Sequence, residues 1–307
     1  MTFEGDQTRE EPGRGVKDAP PPRFSLPGHS VWRIGGLEMD LGTPRVMGIL
    51  NLTPDSFSDG GELPTLEAAL SRGRLLVEEG AEILDVGGES TRPGARPVPP
   101  DEQALRIIPF IQALSSFLPV PISVDTRNAD VAREALRAGA KVVNDVSGLN
   151  HDEGMAAVVA DEGGSLVLSH MRGTPATMRG LAVYQDVVGE VREELERSLE
   201  LALSAGIPSD RIVVDPGIGF AKTGIQSMEI LGRLGSLSSL GRPILVGPSR
   251  KSFIGEVTGA PTASRGPGTL AACVFAYLQG ARIFRVHDVA PLVQALAVTR
   301  AIIEASE

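Results

Sequence analysis

Short apolar runs rich in β-branched residues alternate along this chain with longer segments whose apolar positions recur at helical spacing. The short runs are Val46 to Leu50, Ile83 to Val86, Ile122 to Asp125, Val142 to Val146, Leu166 to Ser169, Ile212 to Asp215, Ile244 to Gly247 and Ile283 to Val286. Between and after them, helical spacing covers segments such as Thr65 to Glu79, Asp101 to Ser115, Ala129 to Ala138, Asp186 to Ala205, Thr269 to Gln279 and Pro291 to about Glu304. Strand and helix in strict alternation is the mark of βαβ units around a parallel sheet. Eight repeats of the pair favour closure into a (β/α)8 TIM barrel. An open doubly wound sheet would place a Gly-rich phosphate loop after its first strand, and Asn51-Leu52-Thr53-Pro54-Asp55 is no such loop. The Gly-Ala pairs at 80–81, 139–140 and 280–281 close helices before the next strand begins, because glycine accepts the left-handed cap.

Ahead of the barrel, Val31 to Leu41 sets apolar residues on either side of Gly35-Gly36, the pattern of a β-hairpin expected to plug one end. Residues 1–30, with Pro20-Pro21-Pro22, are too polar to repay their ordering entropy and are expected to form a disordered tail, leaving residues 31–307 as the barrel domain. A net charge of −10 disfavours a nucleic-acid surface, which needs clustered cations. A single cysteine, Cys273, rules out a disulfide within the chain. There is no apolar stretch of membrane-spanning length and no basic-then-apolar leader, so a cytoplasmic protein without membrane partners is expected.

Candidate chemistry collects where the strands end. Asn51, Asp85, Glu89, Asp125, Asn144, Asp145, His170, Asp215, Arg250, Lys251, Arg285, His287 and Asp288 all stand at C-terminal strand ends, the rim on which barrels carry their active sites. Asp125 and Asp215 as acceptors, with Asn144 as donor and acceptor, suit the edge of a flat heterocycle; helix capping or loop fixing is the other role open to them. Arg92, Arg250, Lys251, Arg285 and His287 on the rim of an acidic protein point to an anionic ligand, or else to pairing with the rim carboxylates. The polar segment from Asn51 to Gly61 is long for a strand-to-helix connection, as functional lids are.

In order along the chain, Met47-Gly48-Ile49-Leu50-Asn51-Leu52-Thr53-Pro54-Asp55-Ser56-Phe57 and Asp85-Val86-Gly87-Gly88-Glu89-Ser90-Thr91-Arg92-Pro93-Gly94 resemble the two signatures of the dihydropteroate synthases, a family of pterin-binding barrels. Ser123-Val124-Asp125-Thr126, Asn144-Asp145-Val146-Ser147-Gly148, Asp215-Pro216-Gly217-Ile218-Gly219-Phe220, Ser249-Arg250-Lys251-Ser252 and Arg285-Val286-His287-Asp288 extend the resemblance from about Ile34 to the C-terminus. The resemblance implies a folate-pathway transferase joining p-aminobenzoate to (7,8-dihydropterin-6-yl)methyl diphosphate, with Mg2+ as cofactor and a homodimer as assembly. It implies that Asp125, Asn144, Asp215 and Lys251 bind the pterin, and that Asn51, Arg92, Arg285 and His287 hold the diphosphate, Asn51 also lying by the metal. Phe57, Thr91, Pro93, Phe220 and Ser252 would shape the p-aminobenzoate pocket, and Asp125, Asp215, Lys251 and Asn51 would carry the catalytic work.

The chemistry of the residues agrees with this assignment. Loss of diphosphate from a methylene leaves positive charge on carbon and negative charge on oxygen, which buried carboxylates and rim cations stabilise respectively. An aniline nucleophile is neutral at pH 7 and needs no strong base, so orientation and electrostatics suffice. The chain departs from the family pattern at Ala221, where Gly is common, at Ser227, where an Asn is expected, and at Arg179, where Gln commonly follows Met178. Two rival readings are a silent paralogue that binds pterin without turnover, against which the intact Lys251, Arg285 and His287 argue, and a pterin-binding methyltransferase, over which the Ser-Thr-Arg-Pro-Gly and Ser-Arg-Lys-Ser segments favour the synthase.

Overall fold

The computed structural model describes residues 31–52, 65–90, 94–95 and 97–306. It opens with a hairpin of β1 (Val31–Ile34) and β2 (Leu37–Asp40), followed by β3 (Arg45–Asn51), α1 (Leu66–Glu78), β4 (Ile83–Gly87), α2 (Pro100–Phe117), β5 (Ile122–Asp125) and α3 (Ala129–Arg137). Next come β6 (Val142–Asp145), α4 (Met155–Asp161), β7 (Ser165–Ser169), α5 (Val187–Ser204), β8 (Ile212–Asp215), α6 (Gly224–Gly232), β9 (Leu245–Val246), α7 (Ser252–Thr258), α8 (Gly266–Leu278), β10 (Ile283–Val286) and α9 (Val289–Glu304). The eight-stranded sheet runs β8-β7-β6-β5-β4-β3-β10-β9, and every pair in it is parallel. A parallel bridge from Val214 to Ile244, with the Val214 amide donating to the Pro243 carbonyl at 3.0 Å, joins the two edges and closes the barrel.

All eight expected strands are present, with β9 reduced to two ladder residues beside the bridge at Ile244. The six expected helices are joined by α4, α6 and α7, each of nine residues or fewer. α8 starts at Gly266 rather than Thr269 because Pro267 fits a first helical turn, where its missing N–H costs nothing. The glycines expected to stop helices do so: Gly80, Gly139 and Gly280 have φ of 103°, 119° and 99°. The tail at residues 1–30 and the greater part of the lid from Asn51 to Gly61 lie outside the described residues.

Side chains of a barrel strand alternate between the interior and the helices. The interior floor consists of Met47, Ile83, Val142, Val167, Val213, Leu245 and Ile283, and against it pack Trp32, Ile34, Met39 and Leu41 of the hairpin region, all buried. The expected plug is therefore real, and it sits at the N-terminal end of the strands. Trp32 satisfies its one polar atom by donating Nε1–H to the Arg211 carbonyl at 3.1 Å. Burying each such large apolar side chain contributes about 1.5–3 kcal/mol, so the hairpin is an integral part of the core. The larger core lies outside the strands, between barrel and helices.

Candidate active site

Two residues beyond the apolar floor, the same inward alternation brings up polar side chains: Asp85 above Ile83, Asn144 above Val142, Ser169 above Val167, Asp215 above Val213 and Arg285 above Ile283. On β5 the inward pair is Ser123 and Asp125. Period-two alternation thus converts a sealed interior into a polar cup at the C-terminal end of the barrel.

Arg285 lies across the cup. Its Nε donates to Asp85 Oδ2 at 2.6 Å and its Nη2 to Asp125 Oδ2 at 2.7 Å. Asn144 Nδ2 donates to the same Asp85 oxygen at 3.1 Å. Burial pushes the Asp125 carboxyl well above the usual carboxylate range; Arg285 opposes this, while Asp85 and Glu89 add to it. Burial works against the charge on Arg285 as well, but Asp85 and Asp125 hold its pKa above the ordinary value. Asp85 Oδ1 is buried without a partner. Asp85 is thus a positioning residue that the sequence placed at a strand end without assigning it a task. Its visible signal was a carboxylate inside the apolar run of β4.

Across the cup, Asp215 accepts from Ser169 Oγ at 3.0 Å and from the Gly217 amide at 2.8 Å. Burial raises its pKa even against those bonds and the nearby charges of Lys251 and Lys222. Lys251 extends its Nζ over the Phe220 ring, 3.8 Å from the centroid, and burial lowers its pKa to about 8. A Cβ on Gly219 would stand 3.1 Å from Lys251 Cδ, so the bare glycine backbone lets that side chain pass. Ser252 opens α7 and is exposed, and Lys251 precedes it at the helix N-cap position.

His287 completes the rim next to Ser249: Ser249 Oγ lies 2.9 Å from His287 Nδ1 and accepts from the His287 amide at 3.2 Å. Arg250, in the left-handed region at φ 58°, is turned to Asp288, with Nη2 to Oδ1 at 2.7 Å. Pairing with a rim carboxylate therefore accounts for Arg250, whereas Lys251 faces the cup. Asn51 ends β3 in register with Gly87. A Cβ on Gly87 would lie 3.7 Å from Asn51 Oδ1 and 3.8 Å from Asp125 Oδ2, so both oxygens overlook the same uncovered backbone. Phe57, Thr91, Arg92 and Pro93 lie outside the described residues.

The departures from the family pattern resolve locally. Ala221 sits at φ 48°, a region glycine enters without the steric cost that a Cβ carries. Ser227 Oγ donates to the Thr223 carbonyl at 2.9 Å within the first turn of α6. Arg179 is exposed on a short 3-10 turn, Met178–Leu181.

Residues 47–287 match the family described as "Pterin binding enzyme". A dihydropteroate synthase of Synechocystis sp. is 48% identical over 258 residues, covering 84% of this chain and 89% of the relative. The Yersinia pestis dihydropteroate synthase, solved with a sulfonamide drug complex, superposes with a TM-score of 0.85 at 39% identity over 89% of this chain and 99% of the other. The Xanthomonas albilineans enzyme, solved with 4-aminobenzoic acid, gives a TM-score of 0.83 at 45% identity, covering 89% and 98%. Together with the barrel and its polar cup, these matches show that the chain belongs to the pterin binding enzymes, and among them to the dihydropteroate synthases.

Proposed function

We propose that the cup is the catalytic site of a dihydropteroate synthase, in which the amine of p-aminobenzoate displaces diphosphate from the pterin methylene to give 7,8-dihydropteroate. The observation that carries this reading is the opposition of two half-sites in one barrel mouth. Buried hydrogen-bonding groups, Asp125, Asn144 and Asp215, stand inward from the barrel wall, and the basic side chains Lys251, Arg285 and His287 stand around them. The ring edge of a pterin offers N–H donors to Asp215 and Asp125 and mixed groups to Asn144, while its acceptors suit Lys251. As the carbon–oxygen bond breaks, Asp125 and Asp215 face the positive charge developing toward the ring. Arg285 and His287, with Arg92, receive the negative charge on the departing oxygen. Lys251 above Phe220 makes a cationic and aromatic wall suited to an aryl carboxylate. Thr91, Pro93, Ser252 and Phe57 are assigned to the same aryl pocket.

Mg2+ is the cofactor that fits. Its hard shell takes oxygen donors and retains water and substrate phosphate, which matches an asparagine oxygen at the rim in place of a histidine or thiolate cage. Asn51 Oδ1 is the protein donor we assign to it. When bound, the ion neutralises diphosphate charge. The protein's own residues orient the two substrates and exclude water. We place the enzyme in the cytoplasm; no helix among the described residues is long and apolar enough to cross a membrane. Its partners are then small molecules and a second copy of the chain.

The deciding experiment is product formation from p-aminobenzoate and the pterin methyl diphosphate, with Mg2+ and then with EDTA. Mg2+-dependent dihydropteroate is the expected result. Pterin binding with no product would move the chain to the silent-paralogue reading, and methyl transfer from a folate to a corrinoid protein would move it to the methyltransferases. Sulfonamides should compete with p-aminobenzoate; inhibition that added p-aminobenzoate fails to relieve would remove the aryl-pocket assignment.

A further inference from the structure

Behind the cup lies a buried cation that the chemistry above does not use. Lys222 is 9% exposed, and its Nζ has four acceptors within reach: His170 Nδ1 at 2.8 Å and the carbonyls of Phe220 at 2.9 Å, Gly217 at 3.1 Å and His170 at 3.3 Å. An ammonium has three protons, so every donor is committed to the loop or to β7's end. The loop is shaped to supply those acceptors. Gly217, Gly219 and Ala221 have φ of 66°, 79° and 48°, so alternate residues turn left-handed and the chain winds around the Lys222 head. A Cβ on Gly217 would come within 2.0 Å of the His170 carbonyl, which shows how tightly the loop is drawn in.

This loop carries two cup residues. Asp215 is tied to it through the Gly217 amide, and Phe220 lies beneath the Lys251 ammonium. On the far side, His170 Nε2 meets Glu194 Oε2 of α5 at 2.8 Å. Glu194 also pairs with Arg172, which reaches Glu190 at 2.8 Å and stacks on Tyr184 at 3.9 Å. Burial lowers the His170 pKa to about 4, so the ring is neutral at physiological pH. With Nε2–H donated to the carboxylate, its Nδ1 is the acceptor that Lys222 meets.

We propose that Lys222 is a positioning residue for the aryl half of the reaction: anchored through His170 and Glu194 to α5, its ammonium holds the 215–222 loop so that Phe220 and Lys251 form the wall facing p-aminobenzoate. This inference rests on the dihydropteroate synthase reading and specifies how that site is braced. It carries a pH signature. Burial lowers the Lys222 pKa to about 7, with Asp215 and Glu194 favouring the ammonium and Lys251 and Arg172 opposing it. Below that pH the loop is held by three donors. As pH rises through it, a neutral amine keeps two, and one carbonyl bond is lost.

The experiment is the pH dependence of the KM for p-aminobenzoate, of kcat and of pterin diphosphate affinity, from pH 6 to 9, in the full-length wild type and in Lys222→Met. In the wild type, the KM for p-aminobenzoate should rise about tenfold through an inflection near 7, the size expected for losing one charge-assisted hydrogen bond. In Lys222→Met, KM should be high at every pH with the Lys222 part of that inflection gone, and pterin affinity, which also draws on Asp125 and Asn144 outside the loop, should fall less than KM rises. Asp125, its carboxyl raised to about 7, and Lys251, its amine lowered to about 8, titrate in both proteins, so the Lys222 contribution is the part of the change near 7 that the Met variant lacks. A wild-type KM without an inflection near 7, or a Met variant with wild-type KM, would overturn the proposal. Equal losses for both substrates would reduce Lys222 to general scaffolding and overturn it as well. Nitrogen-15 NMR of the wild-type Lys222 amine and His170 ring supplies a readout free of turnover. The His170 ring should carry its proton on Nε2, and its Nδ1 shift should follow the Lys222 titration; a ring protonated on Nδ1 would sink the proposal even if Lys222→Met does not fold. Absence of product from the wild type, with that NMR linkage intact, would instead be a failure of the assigned reaction.

Discussion

Single side chains in the cup differ in how readily their roles could be read from sequence. Lys251 was legible as a cation after the seventh barrel strand, and the structure adds its burial and its seat on Phe220. Lys251→Ala should weaken pterin diphosphate binding by about 1.5–3 kcal/mol, roughly tenfold or more in Kd, the usual worth of a hydrogen bond from a charged group. Unchanged affinity in a calorimetric titration would take Lys251 out of the pterin site. Asp85 was visible only as a strand-end carboxylate, because a pattern of apolar and polar letters does not show which residue meets which across a barrel. The structure gives it Arg285 and Asn144 together. Asp85→Asn keeps the volume but removes the charge that aims the guanidinium. kcat/KM should fall by about tenfold or more for loss of a buried charge-assisted bond, with the midpoint of urea unfolding changed less than in a core truncation. Wild-type kcat/KM in this variant would show that Asp125 alone suffices to orient Arg285. Arg250 teaches the opposite lesson: its position suggested a ligand, and Asp288 takes it.

At the scale of elements, strands and long helices follow from hydrophobic spacing, whereas loops are shaped by contacts between segments far apart in the chain. The hairpin could be expected from apolar residues flanking Gly35-Gly36, and its burial under the barrel follows from Trp32 and Ile34 packing on the apolar floor of the strands. Trp32→Ala should cost about 3–5 kcal/mol, as for other large aromatic truncations in cores. Because the floor and the cup lie at opposite ends of the strands, KM for both substrates should change little at temperatures where the variant stays folded. A selective loss of substrate binding at unchanged stability would contradict that separation. The loop after β8 could not be read this way. Its glycines announce freedom, but only the structure shows the His170 carbonyl and the Lys222 ammonium that use it. Gly217→Ala places a Cβ where that carbonyl stands, in a backbone region costly for alanine. Activity should fall more than tenfold, because displacing the loop moves Asp215 and Phe220 together. Retained KM for both substrates would show that the loop can shift without consequence.

For the whole molecule, the acidic balance and the closed barrel were accessible from composition and repeat count, while assembly depends on which surfaces the helices leave uncovered. α8 is apolar nearly all round, yet Phe275 and Leu278 are 47% and 44% exposed, and on the neighbouring α9 Val298 and Ile302 are 60% and 62% exposed. The family resemblance implies a homodimer, and an exposed apolar face such as this one is what a homodimer would require. A stable dimer buries about 1,200–2,000 Å² in total or more, with an apolar centre. Two helices presenting four large side chains would provide that centre, and a second copy would provide its complement by symmetry. Light scattering at micromolar concentration should therefore return twice the mass of one chain. Phe275→Glu combined with Val298→Glu should return the mass of one chain, because each dimer would have to bury four unpaired carboxylates. The cup opens at the ends of the strands and these helices pack on their flank, so the monomeric variant should retain pterin diphosphate binding within about threefold. A wild type that is monomeric at these concentrations would remove the dimer. A dimer that survives both substitutions would place its face elsewhere on the barrel.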